Sequence, residues 1–259
     1  MVGPLARSVA DLILFDSVVT GDTTPFSPQP LEGVRIGVAE YLLSEVDPEV
    51  TRVMMKALRQ LQSAGAVIIW ADLPEKTRTG LGITRTVHRY ETASNMSAFL
   101  SEQQTGISFD ELVAQQSSDV QSIFHNYLIP GALNAVTREQ YDTAVAQLVS
   151  LRKGMRRYFS DHDVIVIAFP SVRMPPPLIG EDREIEILGQ KVPIRDAMAR
   201  NLVHGSCAGM PCLVLPAGMS ANRLPIGIEF DAPPGRDREL LELGLSLENA
   251  LVPIPPPKI

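Results

Sequence analysis

Only two cysteines occur in the 259 residues, Cys207 and Cys212, with four residues between them. Without a second pair, neither a zinc-binding arrangement nor a disulfide framework is expected. The four histidines, His88, His125, His162 and His204, are scattered and show no HxxxH or HxH spacing, so no metal ligand is expected. No run of about 18 apolar residues occurs, so no membrane-spanning helix is expected. The start lacks a basic segment followed by an apolar one, so a secretion signal is not expected and the cytoplasm is the default. There are 18 glycines, yet no two are adjacent. Neither GxGxxG nor GxxxxGK[ST] occurs, so no nucleotide or other cofactor is expected. Lysine is scarce: Lys56, Lys76, Lys153, Lys191 and Lys258. None stands near the one Gly-Ser dipeptide, Gly205-Ser206, although a serine nucleophile with a lysine base needs that lysine desolvated and close. Positive charge is also in deficit. The net charge of −7 argues against nucleic acid and anionic membranes as partners and leaves a neutral or cationic small molecule.

What is present alternates between strand and helix signals. Pro4 reads as the first residue of a helix with Val9, Leu12, Ile13 and Val19 at helical spacing, stopped by Gly21. Residues 33–71 read as strand, helix and strand, with Asp47-Pro48-Glu49 starting the helix and Val50, Val53, Met54, Ala57, Leu58 and Leu61 on its apolar face. That order favours a parallel strand pair. Residues 85–160 read as helical, broken at Pro130-Gly131, with a last helix over about 138–159. Met96, Phe99, Leu100, Phe124, Tyr127 and Leu128 in this region read as core rather than as a pocket lining. The apolar run 163–169 reads as a buried central strand, apolar on both faces, and 212–216 reads likewise. A helix is expected over 194–203, a strand over 225–230, a helix over 237–251 and an extended Pro-rich tail over 253–259. The class is α/β with a mixed sheet, without internal repeats.

Two further constellations invite chemistry. Gly205-Ser206-Cys207-Ala208-Gly209, beside His204, fits the nucleophile-elbow pattern G-x-C-x-G. An elbow needs a strand before the nucleophile and a helix after it, and here the order is reversed. The plainer reading is that Gly205 and Gly209 turn the chain and Cys207 is a small buried hydrophobe. Glu181, Asp182, Glu184 and Glu186 form an acidic cluster, but Glu184 and Glu186 alternate with Ile185 and Ile187 as on a half-exposed strand.

Four stretches carry a resemblance: GPLARSVADLILFDSVVTGD from residue 3, LEGVRIGVAE from 31, DVIVIAFPSVRMPPPLIGE from 163, and GSCAGMPCLVLPAGMSANRLPIGIEFDAPPGRDRELLELGLSLENAL from 205. In this order and over nearly the whole length, the sequence resembles the C-terminal half of amidase-signature enzymes, in the branch that hydrolyses arylacetamides such as indole-3-acetamide and mandelamide. The resemblance implies a mixed-sheet α/β amidase-signature fold whose N-terminal part is missing, with 1–259 forming the C-terminal portion of a single domain. It implies hydrolysis of a primary amide to acid and ammonia through a Ser-Ser-Lys set. The family's Gly/Ser-rich catalytic loop lies upstream of the stretch matched here by residues 3–8, so no catalytic residue is expected in this chain. By position, Pro170 and Ser171 after the buried strand, and the turn His204, Gly205, Ser206 and Cys207, would face the substrate. The family commonly has Asn where Cys207 stands, which removes a polar contact. A truncation, a split gene and a late start codon fit equally. The implied partners are a small-molecule amide and an N-terminal amidase half or a second copy. A non-catalytic scaffold half, and a cysteine hydrolase built on Cys207, stand as alternatives.

Overall fold

Ser8, and not Pro4, opens the first helix. The computed structural model describes residues 3–180 and 183–254; Glu181, Asp182 and most of the Pro-rich tail lie outside them. The Ser8 hydroxyl accepts the Asp11 amide, and α1 runs over Val9–Thr20 to Gly21, which closes it in the left-handed region at φ 73°. A serine hydroxyl satisfies an amide that a proline ring cannot, so the cap sets the start five residues later than the proline suggested. Contacts divide the chain into two units, Met1–Glu75 with Lys153–Ile259, and Lys76–Arg152.

The larger unit holds the sheet. Strand β1 (Arg35–Val38), helix α2 (Glu40–Leu43), helix α3 (Pro48–Ser63) and strand β2 (Val67–Trp70) follow in order. Asp47 caps α3 by accepting the Glu49 amide, Pro48 holds the first turn, and the six residues predicted to be buried on this helix are buried. Strands β1 and β2 pair in parallel from Arg35↔Val67 to Val38↔Trp70.

The smaller unit is helical, with α4 over Gly80–Glu102, α5 over Phe109–Ala114, α6 over Ser118–Ile123, a π-turn over Phe124–Leu128 and most of α7 (Arg138–His162). The expected continuous helix is interrupted earlier than Pro130. Gln104 and Gly106 turn into the left-handed region, and a Ser108–Glu111 capping box starts α5 anew. Leu100 and Leu128 are buried and Phe99 is exposed.

Strand β3 (Val166–Pro170) is buried throughout, and begins later than expected because Asp163 lies in the left-handed region. A hairpin of β4 (Glu184–Ile187) and β5 (Gln190–Pro193) stands apart from the main sheet, with Glu184 and Glu186 exposed as the alternation implied. The helix expected over 194–203 is two short ones, α8 (Ile194–Ala199) and α9 (Val203–Ala208). Strands β6 (Cys212–Met219) and β7 (Pro225–Asp231) and helix α10 (Asp237–Ala250) complete the unit. The order is β2-β1-β3-β7-β6, parallel on the β1 side and antiparallel through β7, hence mixed.

One sheet face carries Ile36, Val166, Ala168, Leu213, Leu215, Ile228 and Phe230 into a core shared with α3 and α10. The other face carries Ile167 and Phe169 of β3, Glu229 and Asp231 of β7, and Cys212 and Val214 of β6, paired as Ile167↔Asp231↔Cys212 and Phe169↔Glu229↔Val214. Here the expectation for 212–216 needs correction. The edge strand β6 alternates, and Val214 stands 50% exposed, so one of its apolar faces is uncovered.

Helix α1 lies against α10 through Val9, whose amide donates to Glu248 at 3.1 Å. Gly244 permits this approach: a Cβ there would stand 2.5 Å from the Leu213 side chain and 3.2 Å from Val9. The connector after α1 is held by Arg238, whose Nη2 donates to the Thr24 carbonyl at 3.2 Å and the Pro25 carbonyl at 2.6 Å. The same guanidinium lies 3.9 Å from the centre of the Phe26 ring.

Candidate functional site

The residues singled out from sequence gather where β3 ends against α9. Asn201, fully buried, donates from Nδ2 to the carbonyls of Leu42 at 3.0 Å and Pro170 at 2.8 Å. This pins the loop that follows β3. Ser171 lies beside Gly227 of β7, with its Oγ 3.5 Å from the Gly227 carbonyl. A Cβ at position 227 would stand 2.8 Å from that Oγ, so glycine is what lets the serine sit there.

His204 to Cys207 form a helix and not a turn. Gly209, at φ 68°, does end α9, but Gly205 lies inside it. Gly205 is small for another reason: the Asp231 carboxylate occupies the space where its Cβ would stand. His204 is buried, its ring 4.8 Å from that of Phe169 and its Nε2 3.3 Å from Asp231 Oδ2. Cys207 is interior, and Ser206 points outward to solvent. Of the six sequence candidates, Pro170, His204, Gly205 and Cys207 are buried. Ser171 and Ser206 retain exposure.

The sheet adds a group that sequence reasoning missed. Glu229 and Asp231 share one face of β7, opposite Val214 and Cys212. Burial first, and then the neighbouring Asp231 carboxylate, push Glu229 up to about 9, so it carries a proton at neutral pH. Burial, with Glu229 and Asp231 behind it, pushes the Cys212 thiol up to about 11. The signal was present in the sequence as two acids at alternate positions of an otherwise apolar strand, Ile226-Gly227-Ile228-Glu229-Phe230-Asp231.

This arrangement limits the chemistry open to the chain. Cys207 sits near the C-terminal end of its helix, where partial negative charge disfavours a thiolate, and no strand delivers it to a surface. Cys212 is a neutral thiol near pH 7. Among the described residues no lysine is buried. Lys76 Nζ does meet Ser150 Oγ at 2.9 Å, but on the surface of the smaller unit and not in a desolvated site.

The fold is thus an α/β architecture on a mixed five-stranded sheet. Comparison with known proteins narrows this further. The family model described as Amidase matches residues 1–241, and the chain belongs to that family. It is 32% identical over 258 residues to the mandelamide hydrolase of Pseudomonas putida, a match covering 96% of this chain and 50% of that protein. It is 30% identical over 252 residues to the indoleacetamide hydrolase of Agrobacterium vitis, covering 96% and 53%. Among solved structures, a crystal structure of an amidase superposes with TM-score 0.75 at 24% identity, covering 96% of this chain and 52% of the other. A 6-aminohexanoate cyclic dimer hydrolase complexed with substrate superposes with TM-score 0.72 at 22% identity, covering 96% and 54%. The chain therefore spans about half the length of the relatives it matches.

Proposed function

We propose that this chain is one half of an amide hydrolase, in which water is added across the C–N bond of a primary amide to give a carboxylic acid and ammonia. The observation that carries the reading is the likeness, along nearly the whole chain, to mandelamide and indoleacetamide hydrolases. An arylacetamide is accordingly the substrate class. In this reading the nucleophile and base come from polypeptide beyond the described residues, because no buried lysine stands among them. Backbone donors and binding alone cannot replace an activated nucleophile. This half contributes part of the sheet and one wall of the acyl pocket. Ser171 is its best substrate-facing hydroxyl, held at the end of β3 beside Gly227. The partner that completes the site is an amidase N-terminal half, seated over the open face at Val214, with a second copy of this chain as its competitor for that face. A reducing cytoplasm suits two cysteines that form no disulfide.

Ammonia release from mandelamide and indole-3-acetamide tests the reading. The chain alone is expected to give background turnover, and addition of an amidase N-terminal half is expected to restore it. Turnover by the chain alone that survives Cys207→Ala would overturn the proposal. Turnover lost in that variant would favour a cysteine hydrolase. No turnover with any complementing half would leave the scaffold reading in its place.

A further inference from the structure

The sheet face beneath α9 holds four side chains that the amide-hydrolysis reading does not use. Cys212, Glu229 and Asp231 bring a sulfur and two carboxylate oxygens within 4.8 Å of one another. His204 adds its Nε2, 3.3 Å from Asp231 Oδ2. These residues come from β6, β7 and α9. Their separations in sequence run from 2 to 27 positions, so no local motif announces them. His204 is 2% exposed, Glu229 3% and Asp231 0%. Even so, beyond the 3.3 Å His204–Asp231 contact and the pairing of the Glu229 carboxyl with Asp231, the Asp231 oxygens, Glu229 Oε2 and the His204 ring nitrogens have no other partner. Buried polar atoms in folded proteins are nearly always satisfied, and a concentration of orphans at one point calls for an absent partner.

We propose that His204, Cys212, Glu229 and Asp231 form a binding site for a divalent transition-metal ion of the zinc type. The donor set points to that class. Hard cations such as calcium and magnesium take oxygen ligands, whereas a thiolate, an imidazole and carboxylates together suit zinc and its neighbours. The geometry agrees at its tightest point. Two ligands each about 2.0–2.1 Å from a tetrahedral zinc stand about 3.3 Å apart, and the His204–Asp231 separation is 3.3 Å. The β6–β7 register sets Cys212 directly opposite Asp231, with Glu229 one pleat along on the same face. Side-chain rotation then closes the remaining distances. Binding releases the Glu229 carboxyl proton and the Cys212 thiol proton to solvent, and the doubly positive ion then holds the carboxylate and thiolate together beside Asp231. Its way in is on the Cys212 side, where the residue lines a groove of about 390 Å³ between α1 and β6 with Leu5, Leu12, Phe15, Val19 and Val214.

The test uses the full chain, stripped with a chelator and titrated with Co²⁺. The expected result is one ion per chain, with the visible absorption of four-coordinate cobalt and a near-ultraviolet thiolate-to-cobalt band, both displaced by Zn²⁺. Cys212 reaches the surface, so Cys212→Ser is the variant least able to disturb folding. It is expected to lose the thiolate band with an unchanged circular-dichroism spectrum, while Cys207→Ala keeps the band. Asp231→Asn is expected to weaken Zn²⁺ binding by more than about 100-fold, the upper end for loss of a mere outer-sphere partner. Failure to take up Co²⁺ stoichiometrically, or a thiolate band that survives Cys212→Ser, overturns the site. None of these readouts involves amide turnover, so the site stands or falls separately from the proposed function.

Discussion

Glu229 sits on a strand whose neighbours, Ile228 and Phe230, are fully buried, so its carboxyl faces a choice between a proton and an uncompensated charge. In the ion-free protein it keeps the proton, at about 9 against an ordinary 4.5. The unfolded chain releases that proton near 4.5, and the folded chain releases it only near 9. The contribution to stability is therefore complete below about 4.5 and is lost as pH rises through about 9. Glu229→Gln, which copies the neutral carboxyl in shape, is expected to flatten that decline. Urea unfolding midpoints measured in chelator between pH 5 and 9 check this, and equal slopes for parent and variant would refute it.

Helix α3 shows what one element contributes when its whole inner face reaches the core. Leu58 is almost fully buried among residues from the sheet and α10. Leu58→Ala is expected to destabilise the larger unit by about 2–5 kcal/mol, as a truncation in a close-packed interior that only partly collapses. Denaturant unfolding with an unchanged m-value reads this directly. The same helix was legible in the sequence down to its cap, because cap chemistry and a 3.6-residue period are both local. So was the β1–α3–β2 unit. The break between α8 and α9 was not legible, because Asn201 and its bonds to Leu42 and Pro170 decide it from far along the chain. The role of Gly205 was hidden for the same reason: the carboxylate it accommodates lies 26 positions later, at Asp231. The grouping of His204 with Cys212, Glu229 and Asp231 depends on strand register, which spacing alone does not encode.

For the whole molecule, the exposed apolar surface is the dominant fact. Helix α1 is apolar around most of its girth, yet only Val9 is buried, and Leu14 and Val18 stand 64% and 76% exposed. A helix of that composition normally lies in an interior. Strand β6 adds an open edge with Val214 beside it, and open edges and apolar patches both promote association. The net charge of −7 opposes this only weakly, since screening at physiological salt acts beyond about 8 Å. The chain is expected to self-associate, and Leu14→Lys with Val18→Lys to lower its mean mass in light scattering coupled to size exclusion. A parent that runs as a stable monomer and ignores an added amidase half would count against both the association and the half-enzyme reading. The clasp formed by Arg238 on the Thr24–Phe26 connector carries a kinetic consequence. Between that clasp and Val9, α1 is held only by the half-buried Leu12 and Ile13, so its amides are expected to exchange with solvent through a local opening and not through global unfolding. Arg238→Ala removes the two bonds to the Thr24 and Pro25 carbonyls, the ion pairs with Asp22 and Glu242, and the ring contact with Phe26. In deuterium exchange it should speed α1 by roughly tenfold or more, since each such bond is worth about 1.5–3 kcal/mol, and leave α3 at its parental rate. Helix α1 is in this sense a separately hinged flap, and its opening widens the groove that Cys212 and Val214 line without disturbing the sheet that bears them.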